Sequence, residues 1–414
     1  MEEIRVLTPT GMLGYGFSLE AFRRGLAKKP HVIAVDSGST DSGPQKLGNG
    51  SLTCPYEAYE RAIGVLLDAW HETGIPVYIS SAGGAGSDVQ VDLFIDLIKR
   101  IAAEKKYRFQ MAVIRGELDK GLVKAKLKQG RIRPCGPVED LTDQEVEASN
   151  AIVAQMGVEP FLKAMETDAE IIVSGRAYDP VPIAAPGVKH GFDPGLAWHM
   201  GKIMECGALC AGDGRNPIIG TLRRDHFVIE PLMEGQKATV TSVAAHTLYE
   251  KGHPYLLPGP GGTIDLSQTV FEQIDERCVK VSQSRFIPAD PYTVKLEGSR
   301  QVGYRSMFVA GMRDPIAIRR IDSILAAVEK DAAEYFRGKD YQIIFHVYGK
   351  NGVMGEYEPR KEATPHELGI VCETVAQDQL AATAVCARAR VTLLHYPYEG
   401  RIATGGNVGF VFTP

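Results

Sequence analysis

Five short apolar runs, rich in β-branched residues, recur in the first half of the chain, and each ends in small or polar residues. They are IRVLTP (4–9), HVIAVD (31–36), PVYISSAGG (76–84), QMAVIRGE (110–117) and AEIIVSGRAYD (169–179). Runs this short and this continuously apolar fit strands buried on both faces, as in parallel sheets. Helical spacing fills the gaps. Tyr59, Ile63, Leu66, Leu67 and Trp70 share one face, as do Phe94, Leu97, Ile98 and Ile101 after Asp88. A capping box, TDQE at Thr142–Glu145, precedes Val146, Ile152, Val153 and Met156, and the pattern predicts one helix ending at Gly157. Strand and helix in alternation predict an α/β fold with an open, doubly wound, mostly parallel sheet over 1–215.

From about Gly212 the pattern changes. KATVTSVAAHTLYE (237–250) and YTVKLEGSRQVGYRSMFVAG (292–311) read as antiparallel strands, and the Pro/Gly-rich segment 253–267 reads as an irregular surface loop or lid. Further on, Asp314 and Pro315 start a helix that stops at Gly338. The strands YQIIFHVYG, ELGIVCETV and VGFVF then flank a second helix over 377–394. The expectation is an α+β domain over 216–414 with a ferredoxin-like βαββαβ portion at 303–412.

Composition excludes several functions. The formal net charge is −5 and the basic residues are scattered, which argues against nucleic acid or an anionic membrane as partner. The densest basic run, Leu122–Arg133, reads as a solvated loop or strand edge. No apolar stretch is long enough to span a bilayer, and MEEIRVLTPT lacks the basic start and apolar core of a secretory signal. Seven widely spaced cysteines with no CxxC fit a reduced, cytoplasmic protein.

In open α/β sheets, ligands bind beyond the carboxyl ends of the strands. The second predicted strand ends in Asp36, Ser37, Gly38, Ser39, Thr40 and Asp41. The third ends in Ser80, Ser81, Gly83, Gly84, Gly86 and Asp88. Arg115 and Glu117 end the fourth, and Ser174, Arg176 and Asp179 the fifth. One such loop could be only a turn, but four together predict a shared polar cleft, with Asp36, Ser81, Arg115 and Arg176 around it. Neither GMLGYG nor SAGGAGSD makes a dinucleotide or P-loop fingerprint, so NAD and ATP are not expected. A carboxylate or a phosphate-bearing small molecule fits better.

Three readings of Asp36, Asp41, Glu117 and Asp179 stay open. They read as paired carboxylates for acid/base work or substrate binding, as ligands of a divalent cation with Ser39 and Thr40, or as caps of their own loops. Arg115 and Arg176 either hold a substrate acid group or pair with Glu117 and Asp179. His199, Cys206 and Cys210 share a helix face, but Trp198, Ile203 and Met204 make that helix read as core. His246, Glu250 and His253 flank the Pro/Gly segment, and His246 reads as a satisfied strand histidine. No single-line catalytic signature is present.

Two stretches, AEIIVSGRAYDPVPIAAPGVKHGFDPGLAWHMGKIMECGALCAGDG (169–214) and the pair DSGSTDSGP and SSAGGAGSD, resemble the acyclic terpene utilisation family of the AtuA type, and LLHYPYEGRIATGGNVGFVF (393–412) is consistent with it. The chain departs from the family at Tyr178, where a smaller residue is expected. The resemblance implies catabolism of branched acids and their CoA thioesters. Some relatives carry a further domain, which here is expected to be either absent or a separate small partner subunit. Taken with the cleft, this gives an expected hydratase or dehydratase, a homo-oligomer acting on a small carboxylate or acyl-CoA. The expected catalytic residues are Asp41, Glu117 and Asp179, and the binding residues Asp36, Gly38, Ser39, Thr40, Ser81, Gly83, Gly84, Asp88, Arg115 and Arg176. The alternatives are a non-catalytic binding subunit and an amide or ester hydrolase.

Overall fold

The computed structural model describes residues 1–38, 44–361, 364–402 and 405–411. Ser39, Thr40 and Asp41 therefore lie outside the described residues. The chain divides into two compact units, Met1–Gln301 and Val302–Pro414.

The strands of the first unit are β1 (Glu3–Thr8), β2 (Val32–Asp36), β3 (Val77–Ser80), β4 (Met111–Ile114), β5 (Ser149–Gln155), β6 (Ile171–Ser174), β7 (Ile218–Arg223), β8 (His226–Pro231), β9 (Leu256–Gly259), β10 (Gly262–Asp265), β11 (Val270–Gln273), β12 (Val279–Ser282), β13 (Arg285–Pro288) and β14 (Lys295–Arg300). One large mixed sheet runs in the order β11-β12-β8-β7-β1-β2-β3-β6-β4. The five predicted runs form its parallel part, β1, β2, β3, β6 and β4. β7 pairs antiparallel with β1, and β8, β12 and β11 continue antiparallel from it. β7, β8, β12 and β11, all after Gly212, thus extend the first sheet within the unit that ends at Gln301.

Helices cover both faces of the parallel part. Tyr56–Thr73 and Asp88–Lys105 pack Tyr59, Ile63, Phe94 and Ile98 against Leu7, Ile33, Val35, Ile79 and Val173. Val181–Lys189 and Pro194–Met204 pack Ile183, Trp198, Met200 and Ile203 against Val6, Ala34 and Ile172. β4 departs from the expectation of burial on both faces: it is an edge strand and only half buried.

Four local expectations are corrected. The capping box at Thr142 starts a helix of only six residues, Asp143–Ala148; the β-branched pair Ile152–Val153 belongs to β5, which pairs with β14. Residues 122–128 of the basic run lie in the helix Lys120–Lys128, capped by Asp119 and seated by Val123, and only 129–133 remain outside helix and strand. Residues 240–247 form a helix, because Thr239 accepts from the N–H of Ser242 and Val243 and Thr247 turn to one buried side. The Pro/Gly segment is partly regular: β9 and β10 pair as a hairpin, joined on the far side by β13.

The second unit contains β15 (Tyr304–Met312), β16 (Tyr341–Tyr348), β17 (Leu368–Ala376) and β18 (Gly409–Phe410) in the antiparallel order β16-β17-β15-β18. Its helices Ile321–Tyr335 and Gln379–His395 bury Ile324, Val328, Ala389 and Leu393 against Phe308, Ile370 and Cys372. No helix among the described residues is long and apolar enough to cross a membrane.

Candidate functional site

A cleft of about 570 Å³ opens in the first unit where β1, β2 and β6 end. Its wall is made by the turn after β1, by Asp36 and Gly38 after β2, by Asp179 after β6, by the stretch from Glu205 to Arg215, and by Tyr249 and Glu250. The parallel strands carry their chain ends to this edge, so residues distant in sequence meet there.

Asp36 is buried at the tip of β2, in register with Ser80 at the tip of β3. Ser80 Oγ donates to Asp36 Oδ1 at 2.5 Å, and the Gly38 N–H donates to Oδ2 at 2.8 Å. Burial, and after it the charge of Asp179, raise the Asp36 pKa well above the usual carboxylate range, although Arg176 and these hydrogen bonds oppose the rise. Asp36 is therefore a carboxyl group inclined to hold its proton.

Arg176 is 2% exposed and its guanidinium is engaged. Its Nη1 donates to Asp179 Oδ1 and to the Ala177 carbonyl, both at 2.7 Å, and to Ser81 Oγ at 3.2 Å, while Nε donates to Glu297 Oε2 at 2.8 Å. Glu297 reaches it from β14. Asp179 is thus fixed at the cleft wall with its side chain 22% exposed.

The loop Ser81–Ser87 is buried throughout. At Gly86 (φ +66°) a Cβ would lie 2.2 Å from the Arg176 backbone nitrogen, and at Gly84 (φ +116°) it would lie 2.0 Å from Thr53 Oγ1. These glycines, with Gly83 beside Gln90, let neighbouring loops close tightly. They pack the floor of the sheet end and do not line the cleft.

Arg115 and Glu117 stand apart. β6 lies between β3 and β4, so the fourth predicted run ends at the sheet edge. Arg115 is exposed and bonds Asp92 at 2.5 Å and the Asp88 carbonyl at 3.2 Å. Glu117 Oε2 accepts from the Asp88 N–H at 2.9 Å, at the first turn of Asp88–Lys105. Of the sequence-derived residues, the cleft brings together Asp36, Gly38 and Asp179, with Arg176 and Ser81 behind them.

The structure adds residues that the sequence reading did not assign. Glu205 and Lys202 form an ion pair buried at the end of Pro194–Met204. Burial lifts the Glu205 pKa to about 7 against the opposing pull of Lys202. Its Oε2 is buried without a hydrogen-bond partner among the described residues. Burial, then Glu205, push the Cys206 thiol far up, so it is no thiolate nucleophile. Two opposite charges in the otherwise apolar AWHMGKIME were the signal for this pair. His199, by contrast, is a core residue: its Nδ1 meets Ser284 Oγ at 2.7 Å and its Nε2 meets Thr247 Oγ1 at 3.0 Å. Burial takes its pKa down to about 3. Among the described residues no group of three or more His, Cys, Asp or Glu is placed to hold a metal ion.

Compared with known proteins, residues 55–406 match the family model of the acyclic terpene utilisation family protein AtuA. The matched range holds SSAGGAGSD and the 169–214 stretch, and begins after DSGSTDSGP. No curated protein and no solved structure matches the chain.

Proposed function

The chain belongs to the acyclic terpene utilisation (AtuA) family, and from that premise we propose that it is a cytoplasmic hydratase or dehydratase of a small branched carboxylate or its CoA thioester. One observation carries the reading: a single cleft holds three carboxyl groups in different environments, Asp36, whose pKa burial raises well above the usual range, Glu205, lifted by burial to about 7, and Asp179, partly exposed and paired with Arg176. Groups in environments that push their pKa values apart are suited to acid and base roles.

In the hydration direction, Asp179 takes a proton from water as its oxygen bonds the β-carbon. The C=C π bond breaks, and Glu205 or Asp36 gives a proton to the α-carbon. Dehydration runs the same steps backwards. Arg176 holds Asp179 in place, and Glu117 is assigned the helix-capping role. As part of the same reading, the first unit is doubly wound and the second is a ferredoxin-like split unit, its strand order being the support. A homo-oligomer and a small separate partner subunit also belong to this proposal.

The test is turnover of branched 3-hydroxy acids, their unsaturated partners and the matching thioesters, with and without co-expressed partner proteins. Deuterium from D₂O should enter the α-carbon. Asp179→Asn should lower the rate by roughly 10²–10⁴. Ligands that bind without any turnover would replace this reading with that of a binding subunit.

A further inference from the structure

Adding water next to a carbonyl builds negative charge on the carbonyl or carboxylate oxygen, and that oxygen needs a partner. The cations in and around the cleft wall are mostly committed. Arg176 is tied to Asp179 and Glu297, Lys202 to Glu205, and Arg215 to Asp213 at 2.8 Å. Lys251 differs. Among the described residues it has no carboxylate at ion-pair distance, and its Nζ donates one hydrogen bond, at 3.2 Å, to the Pro258 carbonyl.

Lys251 directly follows Tyr249 and Glu250, which line the cleft, and its ammonium lies 5.0 Å from the ring centre of Tyr178, the neighbour of Asp179. The Tyr178 hydroxyl is buried and has no hydrogen-bond partner among the described residues. The charges acting on it are those of Glu205, Asp179 and Glu250, all from the cleft. An ammonium offers three donors, of which Lys251 spends one on Pro258.

We propose that Lys251 is the cation that receives the carboxylate or thioester carbonyl oxygen of the ligand, at a site completed by the Tyr178 hydroxyl. This rests on the reading of the cleft given above. The charged groups that act on Lys251 are Lys202, Glu205, Asp179 and Glu250. Burial, then Lys202, lower its pKa, so its charge is held at a cost that an incoming anion relieves.

The test uses the full chain and two probes of one shape, 3-methylcrotonate and its neutral amide. Binding is followed by NMR titration in the wild type, Lys251→Met and Lys251→Arg, with a thermal melt of each. The wild type should bind the acid, and Lys251→Met should bind it roughly 10–100-fold more weakly, the worth of a charged hydrogen bond. The amide should change much less, and Lys251→Arg should recover part of the acid affinity. The proposal is overturned if the acid does not bind the wild type, if Lys251→Met binds it unchanged, or if acid and amide weaken equally while the melting temperature collapses. Turnover is read separately. If the acid binds through Lys251 but nothing is ever hydrated, the hydratase reading falls and this assignment stands.

Discussion

Arg176 and Glu297 are 121 residues apart in sequence, yet Nε and Oε2 meet at 2.8 Å in the interior of the first unit. The pair ties the end of β6 to β14, and the same guanidinium holds Asp179 at the cleft wall. Removing the arginine leaves Asp179 without an ion-pair partner and Glu297 with Lys295 alone. Breaking a buried pair from one side costs about 3–5 kcal/mol. Arg176→Ala is therefore expected to lower stability by that order in urea unfolding, beyond any change in ligand affinity. A variant of wild-type stability that merely binds more weakly would return Arg176 to the role of a ligand clamp.

Gly86→Ala should also destabilise, by more than about 2 kcal/mol. The left-handed backbone alone costs roughly 1–2 kcal/mol for a side-chain-bearing residue. The added Cβ would then press on the Arg176 backbone nitrogen at 2.2 Å, where rigid main chain has little room to move. A thermal melt compared with Gly130→Ala, also at positive φ but with open space around it, separates the backbone cost from the clash.

The sequence exposed the strand ends but not their spatial order. Asp36 and Asp179 were legible because a polar residue after a buried parallel strand has few places to go except the sheet's carboxyl edge. Arg115 belongs with them on the same logic, but chain order is not sheet order: β6 inserts between β3 and β4 and leaves Arg115 at the rim. Glu205 is hidden in sequence because it ends an apolar helix whose pattern reads as core. The helix at 240–247 was hidden by its β-branched residues, since the Thr239 cap outweighs a modest propensity cost.

Stability should fall with pH in the mildly acidic range. Unfolded, Glu205 titrates near its ordinary 4.5; folded, burial lifts it to about 7. Between those values the folded chain holds a proton that the unfolded chain has lost. Stability therefore declines as pH rises from about 4.5 to about 7, then levels off, by at most a few kcal/mol. Asp36 acts in the same direction, from its ordinary 3.8 upward. A Lys202→Met/Glu205→Gln double variant removes one titration without leaving a lone buried charge. Its melting temperature plotted against pH should be shallower than that of the wild type, and adding Asp36→Asn should flatten it further. An unchanged slope in the triple variant would show that neither carboxyl is held protonated in the fold.

The two carboxylates that end neighbouring strands should separate cleanly. Glu117 and Asp179 follow β4 and β6, and either could carry a proton on sequence grounds. In the fold, Glu117 accepts the Asp88 N–H at 2.9 Å at a helix start, outside the cleft wall, whereas Asp179 lies in that wall with its charge held by Arg176. A side chain that accepts a helix N-terminal N–H is worth typically about 1 kcal/mol. Glu117→Ala should therefore lower stability by about that amount and leave turnover within a few-fold. Glu117→Gln keeps a carbonyl oxygen for the same N–H and should do less still. Asp179→Asn keeps the shape of the side chain but removes the base, so turnover should drop by roughly 10²–10⁴ while probe binding persists. Measuring urea midpoints and single-turnover rates on the wild type and these three variants decides between them. If Glu117→Gln abolishes turnover at full stability and Asp179→Asn does not, the proton passes at the sheet edge and the chemistry assigned to the cleft is misplaced.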